Sequence, residues 1–141
     1  WENAHSEEMN EEASPLVVHY MNHKLGEESM GSEMRLGAYT AKLKKGSKIQ
    51  EIYNADTISE RHRHRYEINL NDWEAFEEKG FKATGIHEDG EIIEVVELQD
   101  HPFYIGVQYH AEYKSTIKNP HPLFKAFVAA VMEFKENPKE V

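Results

Sequence analysis

From Glu60 to Ile68 the chain reads ERHRHRYEI, and residues suited to water alternate with residues suited to an interior. Only extended backbone repeats every two residues, so this stretch is assigned to a strand with two distinct faces. Arg61, Arg63, Arg65 and Glu67 point one way, and His62, His64, Tyr66 and Ile68 the other. Four readings compete for the run: a nucleic-acid surface, a metal site, a site for a small carboxylate, or a plain strand. In the last, the histidines pack inward and the arginines pair with carboxylates.

Overall charge weighs against nucleic acid. With 26 acidic against 16 basic residues the formal net charge is −10, and phosphate contacts need a positive field. A metal fares little better. His62 and His64 stand about 7 Å apart along a strand, three arginines surround them, and no patterned carboxylates complete a ligand set. The plain strand and the carboxylate site stay open. Arginine's planar fork binds a carboxylate through two parallel hydrogen bonds, which lysine cannot match.

At 141 residues the chain is read as one domain, 1–141. It contains no cysteine, so it holds no disulfide, no thiolate zinc site and no cysteine nucleophile of its own. Neither a membrane-length apolar stretch nor a signal-peptide pattern is present, and cytoplasm is the expected compartment. Trp1 is neither Met nor a small residue left after Met removal, so the sequence is expected to begin inside a longer polypeptide.

Further along, LVVHYM (16–21) reads as a strand buried on both faces, NHKLGEESMGSE (22–33) as a loop, and MRLGAYTAKL (34–43) as a strand; IQEIYN (49–54) is ambiguous. NDWEAFEEKG predicts a short helix with an Asn71/Glu74 capping box and Gly80 at its end. FKATGI and EIIEVVEL form a hairpin about HEDG, and FYIGVQYH is a third strand. The HP pairs of DHPF and PHPLF read as turns. HPLFKAFVAAVMEFKE predicts the closing helix, with Phe124, Phe127, Val128, Val131 and Met132 on one face, and Trp73, Phe76, Phe124 and Phe127 are expected in the core. An apolar strand followed by a helix points to an α/β sheet.

The sharpest local constellation is His110 and Glu112 in YHAEYKS. Residues two apart in extended backbone share a face. A carboxylate there accepts from imidazole Nδ1–H and leaves Nε2 as a general base. His-x-Glu alone is also compatible with ordinary surface residues.

Together, ISERHRHRYEIN, MRLGAY, VELQDHPFYIGVQYHAEY and PHPLFKAF, in this order, resemble the glutaminase domain of the CTP synthases, a class I glutamine amidotransferase module. The resemblance runs from ENAHSEE to the last helix. It implies an α/β fold with a mostly parallel central sheet flanked by helices, and a Cys–His–Glu triad. His110 is then the triad base and Glu112 its partner, with His-Ala-Glu-Tyr standing where the family has His-Pro-Glu-Phe. Arg65 corresponds to the arginine that holds substrate glutamine, and Arg63 supports it. Glu8 matches the acidic residue of the family's Asn-Ser-Thr-Glu segment, here with His5 for Asn and Glu7 for Thr, and MGSEMRLG lacks one of the family's glycines.

On this resemblance the arginine strand positions glutamine. The nucleophilic cysteine sits in a Gly-x-Cys-Leu-Gly-x-Gln elbow that these residues do not contain. Nor do they contain the synthetase domain, which binds ATP, Mg²⁺ and UTP and responds to GTP as allosteric activator. No cofactor is expected in this chain, and its expected partners are glutamine and the synthetase domain, without nucleic acid or membrane. The parent enzyme is expected to be a homo-oligomer (tetramer), and the chain alone is expected to be inactive and partly unfolded. A non-catalytic binding or regulatory module derived from such a domain is the alternative.

Overall fold

A computed structural model of the chain describes residues 1–21 and 34–137; the expected loop at 22–33 lies outside them. In chain order the elements are β1 (His5–Ser6), β2 (Leu16–Tyr20), β3 (Arg35–Leu43), α1 (Lys48–Tyr53), β4 (Thr57–His64), β5 (Tyr66–Ile68), α2 (Trp73–Glu78), β6 (Phe81–His87), β7 (Ile93–Leu98), β8 (Ile105–Val107) and α3 (Pro122–Glu136). Single 3₁₀ turns lie at Leu70–Asp72 and Ala111–Lys114.

Two sheets result. A five-stranded sheet runs β4-β3-β6-β7-β8 and a three-stranded one runs β1-β2-β5. Every pair in the larger sheet is antiparallel, and the one parallel pair among the described residues is β1 with β2. The expected mostly parallel sheet is therefore corrected for these residues. Parallel neighbours need a long crossover, whereas β6 and β7 join through the expected hairpin, where Gly90 adopts φ 85° and its N–H donates to His87 O at 2.8 Å.

The alternating strand forms over Thr57–His64, with exposed and buried positions alternating from Thr57 to Arg63 and His64 half-buried. It stops at His64, short of the expected Ile68, because Arg65 is a bend and β5 belongs to the other sheet. The change of sheet reverses the faces. Glu67, expected among the outward arginines, is buried, with its carboxylate 3.7 Å from His19 Nε2. β2, expected buried on both faces, is half-buried throughout.

The ambiguous IQEIYN lies within α1 except for Asn54. Ser47 Oγ accepts from Gln50 N–H, the Glu97 carboxylate accepts from Lys48 N–H at 3.1 Å and Ile49 N–H at 3.0 Å, and Asn54 closes the helix in the left-handed region. The expected Asn71/Glu74 box does not form. Asn69 caps the 3₁₀ turn instead, its side chain accepting from Asn71 N–H, and Asp72 at the start of α2 makes no side-chain cap. Gly80 follows the helix at φ 89°.

One core joins Ala41, Leu43, Ile49, Ile58, Val95, Tyr109, Ala111 and Leu123. Leu123 is the buried residue of α3. Phe124, Phe127, Val128, Val131 and Met132, expected in the core or on the core-facing side of the helix, are 41–59% exposed. Helical spacing shows that a stripe is apolar and says nothing of what covers it. Trp73 and Phe76 are half-buried and stack with centroids 5.4 Å apart. No helix of the described residues is long and apolar enough to cross a membrane.

Candidate active site

His110 sits where the chain leaves β8 and enters the 3₁₀ turn Ala111–Lys114. Its Nδ1 lies 2.7 Å from Glu112 Oε1. The turn, and not an extended strand, brings the two side chains together. The Glu112 carboxyl is held below the usual carboxylate range, first by this hydrogen bond. With Nδ1–H donated to Glu112, Nε2 keeps its lone pair and can take or return a proton. Tyr113 stacks on the imidazole at 4.8 Å between centroids with 14° between planes, which limits rotation of the ring.

Backbone hydrogen bonding ties this turn to the arginine strand. His110 N–H donates to Arg61 O at 2.9 Å, and Lys114 Nζ donates to Ser59 O. Below that seam lies a buried cluster that the sequence reading missed. The Glu60 Oε1 atom accepts from Tyr53 OH at 3.1 Å and from His121 Nε2 at 3.1 Å, while Tyr53 and Tyr109 hydroxyls stand 3.0 Å apart. Leu123 N–H donates to His121 Nδ1 at 3.3 Å, so Nε2 carries the proton. His121 therefore serves twice, as cap of α3 and as donor to Glu60, and the HP pair read as a turn is a helix start with Pro122 in its first turn. The Tyr53 and Tyr109 phenols are both pushed well above their ordinary range, chiefly by burial. Three other segments thus close around the Glu60 carboxylate, on the strand that holds the His110 backbone, and the only sequence signal was a glutamate on the inward side of an alternating strand.

Arg61, Arg63 and Arg65 are all exposed. Arg65 occupies the corner between the sheets, where its carbonyl accepts from Met21 N–H at 3.1 Å. From Arg61, which holds the His110 backbone, to Arg65 is roughly 13 Å of strand at about 3.3 Å per residue. Glu8 lies in the turn after β1 and is exposed. Ser6 pairs with Val18, Val18 with Ile68 and Tyr20 with Tyr66, so Glu8 and Arg65 fall at the same end of the small sheet. The neighbouring Glu7 carboxylate accepts from Tyr20 N–H.

The histidines face inward. His62 is 2% exposed and its Nδ1 is 3.0 Å from His64 Nε2. Behind them Arg35 and Glu94 pair at 2.6 Å, with the guanidinium 4.2 Å over the Tyr39 ring. Among the described residues no group of three His, Cys, Asp or Glu side chains could hold a metal ion.

Burial, then the charge of Arg35, pushes His62 down to about 3; burial pushes His64 down to about 4 against the bond to Tyr66 O. An unfolded histidine takes its proton near 6.5, so between those values the unfolded chain binds more protons and stability rises with pH. This contribution is complete above about pH 6.5 and lost as pH falls towards the folded values. We expect the urea midpoint to fall between pH 7 and pH 5, where most carboxylates stay ionised, and to fall less in His62→Gln. Equal pH dependence in both proteins would rule out these rings as the source.

A family model described as glutamine amidotransferase class I matches residues 8–130. The chain belongs to this family. Among curated relatives, the CTP synthase of Cytophaga hutchinsonii is 46% identical over 136 residues, covering 96% of this chain and 25% of the relative. That of Flavobacterium johnsoniae is 48% identical over 129 residues, covering 92% and 24%. The glutaminase domain of Trypanosoma brucei CTPS with bound acivicin superposes with a TM-score of 0.85 at 33% identity, covering 94% of this chain and 52% of that one. The chain thus spans about a quarter of the length of its curated relatives and about half of that glutaminase domain, and it shares the amidotransferase fold.

Proposed function

We propose that these residues form the base-bearing and substrate-holding portion of a glutaminase that supplies ammonia to a CTP synthase. The observation that carries this reading is the His110–Glu112 pair at 2.7 Å, hydrogen-bonded through His110 N–H to the strand that presents Arg63 and leads into the corner at Arg65. Arg65 binds the α-carboxylate of glutamine with Arg63 in support, and Glu8, at the same end of the small sheet, receives the α-ammonium. The side-chain amide then extends back towards His110.

The reaction needs a thiolate, and these 141 residues contain no cysteine, so the nucleophile comes from the part of the domain that precedes them. The thiolate attacks the amide carbon, and His110 Nε2 delivers a proton to the departing nitrogen as ammonia leaves. Water then adds to the thioester with His110 as base, and glutamate and thiolate are released. In the parent enzyme the ammonia aminates UTP with ATP and Mg²⁺ at a separate synthetase domain, where GTP activates and through which the protein assembles into tetramers, in the cytoplasm. None of these cofactors is assigned to the present residues.

The uncovered apolar face of α3 fits the same reading. With His101, Pro102 and Phe103 it borders a cleft of about 300 Å³, and the preceding half of the domain is its proposed occupant. The test is to combine the purified chain with a polypeptide carrying that half and follow ammonia release from glutamine. Hydrolysis is expected only in the mixture or the fused protein, with one covalent label per molecule from a thiol-alkylating glutamine analogue. Glutamine binding without hydrolysis in the fused protein would favour a non-catalytic module, and the absence of both would refute the reading.

A further inference from the structure

We propose that His64 is a positioning residue that clamps the corner carrying Arg65 and so sets the site's affinity for the α-carboxylate of its amino-acid substrate. This rests on the glutamine-holding role proposed above for Arg65. β4 ends at His64 and β5 begins at Tyr66, in different sheets, so Arg65 alone makes the passage between them. A single residue joining two sheets is a natural hinge, and an exposed arginine on a hinge would lose much of its binding energy to ordering.

Two bonds close the corner. Met21 N–H donates to Arg65 O at 3.1 Å, and His64 Nδ1 lies 3.0 Å from Tyr66 O, spanning Arg65 from one side to the other. The second bond dictates the protonation of the whole group. A carbonyl only accepts, so His64 Nδ1 carries the proton and Nε2 is bare. His62 Nδ1, 3.0 Å away, must then be the donor to it. His62 is held in turn by burial and by packing edge-on to Tyr39 at 5.5 Å, a ring whose face the Arg35 guanidinium covers at 4.2 Å. The orientation of the His64 ring is thus inherited from buried His62 and from the Tyr39 ring against which it packs. The motif acquires a division of labour, in which outward arginines meet the ligand and inward histidines hold the backbone that aims them.

The experiment uses the full polypeptide that includes the thiolate-bearing half and compares His64→Leu, His64→Asn and Arg65→Ala. Leucine fills the space and removes the clamp, whereas the asparagine amide places an N–H where Nδ1 stood and can still donate to Tyr66 O. His64→Leu is expected to raise KM for glutamine about tenfold, the scale of a misaligned charge-assisted pair, with kcat changed less than about threefold because His110 and Glu112 are untouched. His64→Asn should recover most of that loss. The Met21 amide, bonded to Arg65 O, should exchange with solvent faster in His64→Leu and near the parent rate in His64→Asn. Parent-like KM in His64→Leu, or no difference between the two His64 variants, would overturn the proposal. If Arg65→Ala leaves KM unchanged, the anchoring role of Arg65 is what has failed, and Met21 exchange still decides whether His64 holds the corner.

Discussion

Replacing His110 with alanine in the complete glutaminase is expected to lower kcat for glutamine hydrolysis by about 10²–10⁴-fold, the usual worth of a positioned general acid–base group. Without Nε2 the departing nitrogen leaves as an unprotonated amide anion, and water attacks the thioester unaided. KM should change little, because Arg65 and Glu8, the proposed partners of the other end of the substrate, are untouched. Glu112→Gln should cost less, because its amide oxygen can still accept from the imidazole Nδ1–H and keep the ring oriented. Steady-state ammonia release from glutamine measures both effects. A His110→Ala protein with parental kcat would remove the base from its assigned position.

The second large effect is on stability. Arg35 and Glu94 are 4% and 1% exposed and pair at 2.6 Å. Burial pushes the Glu94 carboxyl upward while the guanidinium opposes it. Arg35→Met should leave that carboxylate buried without its cation and cost about 3–5 kcal/mol, the range for breaking one side of a buried pair. Substituting both, as Arg35→Met with Glu94→Leu, should recover most of the loss, since the second change removes the stranded charge. Denaturant unfolding measures this, and a loss under about 1 kcal/mol for the single change, on the scale of an exposed pair, would mean that Glu94 finds water in solution. Because the Arg35 guanidinium covers the Tyr39 ring against which His62 packs, the single change should also weaken the corner at Arg65.

Much of this was legible in the residues. The two-residue alternation located β4 and its faces as far as Arg63, the HEDG turn located the β6–β7 hairpin, and the spacing of apolar residues located α3. His110 and Glu112 were singled out by separation alone, and their hydrogen bond is present. The errors share a cause. The capping box at Asn71/Glu74 failed because Asn69 captured the turn two residues earlier, a competition between near-equivalent caps that a motif does not resolve. Glu67 was placed outward because alternation was carried through Arg65, where the strand in fact changes sheet. The aromatics of α3 were placed in the core because periodicity marks a face to be covered, whatever covers it.

What the sequence alone determined is therefore local: which segments are extended, which are helical, and which side of each prefers water. Side-chain direction repeats every two or 3.6 residues, and burial selects along that repeat. What only the tertiary structure decided is which inward groups meet. Glu60 gathers Tyr53, Tyr109 and His121 in the interior, His110 hangs its backbone on Arg61, and Arg35 reaches Glu94 behind the two histidines. Most of these partners stand some 50 to 60 residues apart, and their meeting depends on strand order and register, which no local period encodes.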